Sequence, residues 1–486
     1  MPTPTSQRET DDQQLLRLGY SPAFARTMSL WENFALGFTY LSPVVGVYTL
    51  FAVSLAVGGP PFIWSYLLVG IGQLLVCLVF CEVVSQYPIS GGVYSWIKRM
   101  HGERLAFMGG WIYLWALAAT VAAVAVGAAP YIVALSGASS GPDTVTWTAL
   151  ALIALGLLLN LGGTRVLATA AFLGFTAELI GALAVGSYLL LFERLQSPAI
   201  IFDTLGAGEP GGYLAAFLVA GLAGIFQYYG FEACGDVAEE VPDPSRRIPK
   251  AMRLTIYVGG SVAMFTCLSL LLAVPDIQAV ISGQDTDPVM TILQRSFGSA
   301  GAGLVILIIL VSFLSCIISL QAATSRLLFA MARDRMVPGH GGLARLSERS
   351  KAPANALLTC TAATVGIVLI GHVREDALIA IISFAAVGIY IAFQLVVAVV
   401  LAARMRGIAP SGPFTLGRWG WPVTLGALAY GIAAIVNIAW PRTPELAWYL
   451  NYGVVFSTAV VIAAGLIFPV ISRDTQAALR TSGGGK

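Results

Sequence analysis

Apolar runs long enough to cross a bilayer recur about twelve times along this chain, and that recurrence restricts its fold more than any other feature. The first six lie near Trp31–Val57, Phe62–Val84, Ala106–Leu135, Thr148–Leu161, Ala168–Phe192 and Tyr213–Val237. The other six lie near Met252–Val274, Leu304–Met331, Ala356–Ile370, Ala377–Ala403, Val423–Trp440 and Tyr449–Ile471. In hydrocarbon every backbone N–H and C=O must find its partner inside the protein, so such segments become packed helices. Composition points the same way: 11% of the residues are charged, against roughly 25% in soluble domains. No polar stretch is long enough to form a separate soluble domain. The expected fold class is all-α, a polytopic membrane protein with 12 transmembrane helices.

Charge tests that map. If the N-terminus is cytoplasmic and the spans alternate, roughly 23 of the 27 Lys and Arg fall on the cytoplasmic side or its interface. The exceptions are Arg194, Arg295, Arg374 and Arg442, while the opposite loops carry Asp143, Asp203, Glu209, Asp276, Asp285 and Asp287. The bias supports an even number of spans with both termini inside, in a cell membrane. The polar start, PTPTSQRETDDQQ, lacks the basic n-region and short apolar core of a signal peptide. Residues 1–28 read as a loose cytoplasmic tail, and residues 473–486 as another. The six cysteines sit in or beside apolar runs without metal-ligand or disulfide spacing, and read as buried thiols.

Two of the runs carry breaks. Leu41 to Tyr48 reads LSPVVGVY; Pro43 has no N–H to donate, and Gly46 adds backbone freedom. In the sixth run Gly230 stands beside Gln227, Tyr228 and Tyr229. A simple proline kink, and a glycine for close helix packing, are the bland alternatives. The two runs lie five spans apart, so their helices travel in opposite directions. Interrupted helices at matching places in two inverted halves point to a transporter's binding site. Past the second break come Glu232, Asp236, Glu239 and Glu240, and carboxylates at membrane depth face protein or water rather than lipid. Glu239 and Glu240 also suit an ion-pair cluster with Arg246, Arg247 and Lys250 at the cytoplasmic mouth. Between the second and third runs, Val93 to Met100 reads as a short interfacial helix whose basic end is Lys98 and Arg99.

These stretches resemble the amino acid–polyamine–organocation superfamily of secondary transporters. GFEACGDVAEEVPDPSRRIPKAM, from Gly230, is similar to that group's sixth-helix pattern; YPISGGVYSW resembles the loop after its second helix, and SRLLFAMARDRMVP, from Ser325, the end of its eighth. GGPPFIW (Gly58 to Trp64), SGPFTLGRWGWPV (Ser411 to Val423) and LNYG (Leu450 to Gly453) look most like its amino acid/choline transporter family. The resemblance implies a LeuT-like bundle of five plus five inverted-repeat helices, with helices 1 and 6 broken. The halves would be residues 29–194 and 213–405, with two extra helices in 420–472. It also implies uptake of a small nitrogenous solute by alternating access, coupled to H+ or Na+, with exchange of amino acids or amines as the alternative.

By that resemblance the solute site comprises Ser42, Pro43, Val44, Val45, Gly46, Phe226, Gln227, Tyr228 and Gly230. Phe226 falls where the family places an aromatic gate, and an aromatic wall suits an ammonium group. Glu178, Glu232, Asp236, Ser312 and Ser315 are assigned to coupling or gating. Two departures stand out. Many members have a Gly-Ser-Gly break that holds an α-carboxylate, whereas this chain keeps only Gly46. Several proton-coupled members carry a lysine where Glu178 stands. Glu178 is a candidate proton carrier, or a Na+ ligand with Ser312 and Ser315, or a carboxyl hydrogen-bonded within the bundle. Amino acids, γ-aminobutyrate, choline, polyamines and ethanolamine all fit as solutes.

Other functions find little support. No HExxH or GxxxxGK[ST] motif occurs, and His101, His340 and His372 lie at expected span edges. Catalysis, ATP drive, an organic cofactor, a resident metal and nucleic-acid partners are therefore not expected. Repeated selectivity-ring motifs of a channel are not visible either. The partners expected are the solute, a coupling ion and the lipid bilayer.

Overall fold

The computed structural model describes residues 4–137, 139, 141–208, 212–373, 375–442 and 447–471. Helix α1 covers Pro4–Arg17. The first expected span is two helices end to end, α2 (Leu30–Leu41) and α3 (Pro43–Gly58). Then come α4 (Ile63–Gln86), α5 (Gly92–Met100), α6 (Glu103–Gly127), α7 (Ala129–Ser136), α8 (Pro142–Leu161) and α9 (Thr164–Phe192). The sixth expected span is in three pieces, α10 (Tyr213–Ala220), α11 (Leu222–Gln227) and α12 (Ala233–Asp236). The second half continues with α13 (Pro244–Leu254), α14 (Gly260–Ala273), α15 (Ile277–Ile281), α16 (Pro288–Arg333) and α17 (His340–Leu343). It ends with α18 (Ala354–Val373), α19 (Glu375–Met405), α20 (Gly420–Ala439), α21 (Trp448–Asn451) and α22 (Gly453–Ile471).

Among the described residues, 10 stretches are long and apolar enough to cross a membrane, and two shorter apolar ones, Tyr213–Gln227 and Gly453–Pro469, lie where the sixth and twelfth spans are expected. The outer surface agrees with that reading. Leu191 is 75% exposed, Phe192 73% and Leu158 65%. At about 25 cal/mol per Å2 a belt of such side chains is costly in water and free of cost against lipid. The protein is a polytopic, all-helical membrane protein. All six cysteines are buried and unpaired.

Three elements differ from expectation. The run expected from Leu304 begins at Pro288, because Asp287 accepts from the Met290 N–H at 3.2 Å and caps the first turn. Gly298, at φ 63°, bends that helix where it enters the apolar stretch. The helix joining α13 to α14 widens into a π turn over Thr255–Gly259. The N-terminal segment, expected as a loose tail, is folded back on the bundle. Asp11 accepts from the Asp243 N–H at 2.8 Å, the Met28 N–H reaches the Glu240 carbonyl at 3.0 Å, and Phe24 packs edge-on against Phe329. The tail expected over 473–486 lies outside the described residues, as do Glu209 and Arg374.

Candidate functional site

The α2–α3 junction is a true interruption. Ser42 adopts the left-handed conformation at φ 38°, and its N–H closes α2 on the Phe38 carbonyl at 2.7 Å. Such a conformation costs a non-glycine residue about 1–3 kcal/mol unless its surroundings hold it. Here they do. The Ser42 hydroxyl donates to Glu178 Oε1 at 2.7 Å and accepts from the Val45 N–H at 3.3 Å, capping α3. Pro43 has no N–H to satisfy, and the Val44 N–H donates to the same Glu178 oxygen at 2.9 Å. A carboxylate thus sits on the N-terminal end of a 16-residue helix, where free N–H groups and the helix dipole favour negative charge. Glu178 is delivered from α9, which approaches α16 closely because Gly174, one turn earlier, has no side chain. A Cβ there would lie 2.4 Å from that of Ser315.

The carbonyl end of the same break is held by a different residue. Gln227 Nε2 donates to the Leu41 carbonyl at 2.9 Å and the Ser42 carbonyl at 3.3 Å. Its amide fits only because position 46 is glycine: a Cβ there would lie 2.0 Å from Gln227 Oε1. Glu178 Oε2 and Gln227 Oε1 are both buried and without a hydrogen-bond partner. Ser42, Glu178 and Gln227 have no solvent exposure in this conformation.

The second break lies against the first. Gly230 has φ 121°, and a Cβ on it would come within 2.6 Å of the Leu41 backbone nitrogen. The two broken helices touch along their length. Tyr213 donates to the Gly58 carbonyl at 2.9 Å, Ser54 to the Ala220 carbonyl at 3.2 Å, and Asn33 to the Cys234 carbonyl at 3.1 Å. As the number on the first helix falls, its partner on the second climbs, so the two run antiparallel.

Glu232 and Asp236 follow one turn apart. The Gly230 N–H donates to Glu232 Oε2 at 2.7 Å. The Tyr113 hydroxyl lies 3.2 Å from Glu232 Oε1 and 3.4 Å from Asp236 Oδ2, tying both carboxyls to α6. Among the aromatics, Phe226 packs edge-on against Tyr229, ring centres 5.4 Å apart, and Tyr229 against Tyr40 at 6.2 Å. Tyr228 faces the other way. Its ring lies against Gly70 and Gly260, and its hydroxyl donates to the Gly260 carbonyl at 3.3 Å. The structure therefore groups Ser42–Gly46, Glu178, Gln227 and Gly230, puts Phe226 with Tyr229, and sets Tyr228 apart.

Ser312 and Ser315 lie on α16 with their hydroxyls turned to its own backbone, bonded to the Ile308 carbonyl and the Ser312 carbonyl, each at 3.0 Å. Ser315 lies against α9 at Gly174, and neither serine bonds Glu178. Thr39 and Ser319, 2.8 Å apart, join α2 to α16 instead. Neither residue was singled out by the sequence, nor was Tyr113. A hydroxyl in an apolar helix is a common residue, and its partner becomes visible only through packing. Among the described residues no group of three or more His, Cys, Asp or Glu side chains could hold a metal ion.

At the basic end of the bundle the ion pairs differ from expectation. Glu240 pairs with Arg326 at 2.8 Å, both fully buried, and also bonds the Thr164 hydroxyl. Glu239 pairs with Arg333 at 3.0 Å and accepts from the Ser90 N–H at 3.1 Å. Arg246, Arg247 and Lys250 take no part in these pairs. A 3-10 turn over Ala238–Glu240 carries the two carboxylates inward to α16, while Pro244 starts α13 in a new direction.

A family model described as amino acid permease matches residues 28–464. An amino-acid permease of Arabidopsis thaliana is 26% identical, over 94% of this chain and 93% of its own length. A thiamine transporter of Schizosaccharomyces pombe is 24% identical, over 97% of this chain and 87% of its own. A putative amino acid/polyamine transporter of Macrophomina phaseolina is 23% identical, over 79% and 88%.

Proposed function

The chain belongs to the amino acid permease family, and from that premise we propose that it is a secondary active transporter of small nitrogenous solutes, amino acids or amines. The observation that carries this reading is the pair of antiparallel interrupted helices whose breaks meet at Leu41 and Gly230. Peptide groups freed from helical bonding at membrane depth are tolerated where they line a site, and a carrier's solute binds at such a place. In this reading residues 29–194 and 213–405 are inverted halves that move against one another, both termini are cytoplasmic, and the chain resides in the plasma membrane.

The buried pair Glu240–Arg326 and the half-buried pair Glu239–Arg333 support closure of the cytoplasmic path in the conformation described. Opening that path would break them or carry them along with the moving half. Phe226 and Tyr229 form the aromatic side of the site. Glu178 couples solute movement to an H+ or Na+ gradient, by virtue of a buried carboxylate oxygen with no partner.

The test is uptake into proteoliposomes of radiolabelled amino acids and amines under an imposed pH or Na+ gradient. Saturable uptake that collapses with the gradient is the expected result, and Glu178→Gln should abolish that dependence. Uptake linear in solute concentration would indicate a channel instead. Uptake requiring solute on the far side, with no response to either gradient, would indicate an exchanger.

A further inference from the structure

Both ends of the α2–α3 break are already occupied by the chain itself. Its N–H end holds a carboxylate oxygen, Glu178 Oε1, which accepts from the Val44 N–H and the Ser42 hydroxyl. Its carbonyl end holds the Gln227 amide, which donates to the carbonyls of Leu41 and Ser42. A carboxylate on one end and an N–H donor on the other are the two groups an α-amino acid would present to such a break. Burial makes them matter. An N–H or carbonyl with no partner at this depth costs several kcal/mol on order of magnitude, so a group that satisfies it is not displaced cheaply.

The oxygens left over have one character. Glu178 Oε2 and Gln227 Oε1 are acceptors, buried, with no donor on either. One belongs to a carboxylate. The complement to such oxygens is a positively charged hydrogen-bond donor or a cation, not a second anion. A solute carboxylate brought to this end would meet Glu178 with the N–H groups already taken.

We infer that Glu178 and Gln227 are resident ligands of the break, and that the solute is recognised as an organic cation through the open Glu178 oxygen rather than as a zwitterion through its own carboxylate. The inference rests on the transport reading above and narrows its substrate class to amines without an α-carboxylate. Tyr229, Phe226 and Tyr40 are adjoining aromatic surfaces of the kind that attract ammonium groups.

The experiment is competition for uptake in proteoliposomes. Labelled putrescine and labelled choline are the transported probes. The competitors are unlabelled α-amino acids and the methyl esters of the same amino acids, which keep the ammonium and lose the carboxylate. In the wild-type protein the esters should compete and the free amino acids should not. Glu178→Gln, which keeps the shape and removes the charge, should weaken cation binding at least about tenfold, as expected for removing one partner of a buried charge pair. Glu178→Ala vacates the N–H end, so free amino acids should then begin to compete, and added acetate should suppress that gain.

Wild-type uptake that free amino acids inhibit and their esters do not would overturn the inference while leaving the transport reading intact. No saturable uptake of any nitrogenous solute by the wild type would overturn both. The ester comparison needs only the wild-type protein, so it decides the matter even where a Glu178 variant fails to fold.

Discussion

Gly46 and Gln227 share one small volume: the side-chain oxygen of Gln227 lies 2.0 Å from where a Cβ on Gly46 would stand. The two positions are far apart in sequence, on the two interrupted helices. A methyl group at 46 would push the flexible amide away from the carbonyls of Leu41 and Ser42. Leaving those carbonyls unpaired costs about 1–3 kcal/mol each. We expect Gly46→Ala and Gln227→Ala each to reduce uptake by at least about tenfold. The double variant should be no worse than either single one, because both remove the same hydrogen bonds. A double-mutant cycle on uptake rate checks this, and additive losses would show that the two act separately.

Gly230→Ala is a harsher change. The residue sits at φ 121°, and its Cβ would meet a backbone atom, the Leu41 nitrogen, at 2.6 Å. Backbone cannot swing aside as an amide side chain can. The cost is expected at about 3 kcal/mol or more. Thermal unfolding in detergent should show a lowered transition. A variant with wild-type stability and uptake would mean that the two breaks are not in close contact.

Glu240 and Arg326 are fully buried and 2.8 Å apart. Neutralising either alone strands a charge, and a loss of about 3–5 kcal/mol is expected for Glu240→Gln or Arg326→Met. The double variant should recover most of that loss, since the stranded charge is gone. Measured stabilities of the four proteins test it. Equal losses in single and double variants would show that packing rather than charge holds this end.

The N-terminal segment covers the same end through the Met28 N–H to the Glu240 carbonyl and through Asp11 to the Asp243 N–H. Removing residues 1–28 should loosen it. A cysteine placed by Ala332→Cys, at a buried position, should then react with maleimide about tenfold faster or more, because local opening controls access. An unchanged labelling rate would show that the bundle alone keeps this end shut.

Both breaks were legible in the sequence because Pro43 with Gly46, and Gly230 among polar and aromatic neighbours, are residue types that stop helices. Their contents were not. Tyr228 and Tyr229 are adjacent and chemically alike, and once a helix unwinds its periodicity no longer says which ring faces which way. The sequence favoured Tyr228; the structure sets it against Gly70 and Gly260 and groups Tyr229 with Phe226. The partners of Glu239 and Glu240 were misread for a related reason. Nearby Arg246, Arg247 and Lys250 were the obvious choice by sequence distance, whereas a turn at Ala238–Glu240 reaches Arg326 and Arg333. Gln227 was assigned to the solute site, but its two carbonyl partners lie on the other broken helix, where no local rule reaches.

The α2–α3 interruption carries its own counter-charges, and that bears on the transport cycle as a whole. A carrier whose open helix ends need cargo to neutralise them is held back when empty, so it tends to trade one molecule for another. With Glu178 and Gln227 in place, the broken backbone is satisfied with or without cargo, and the acceptors left unmet belong to the two side chains.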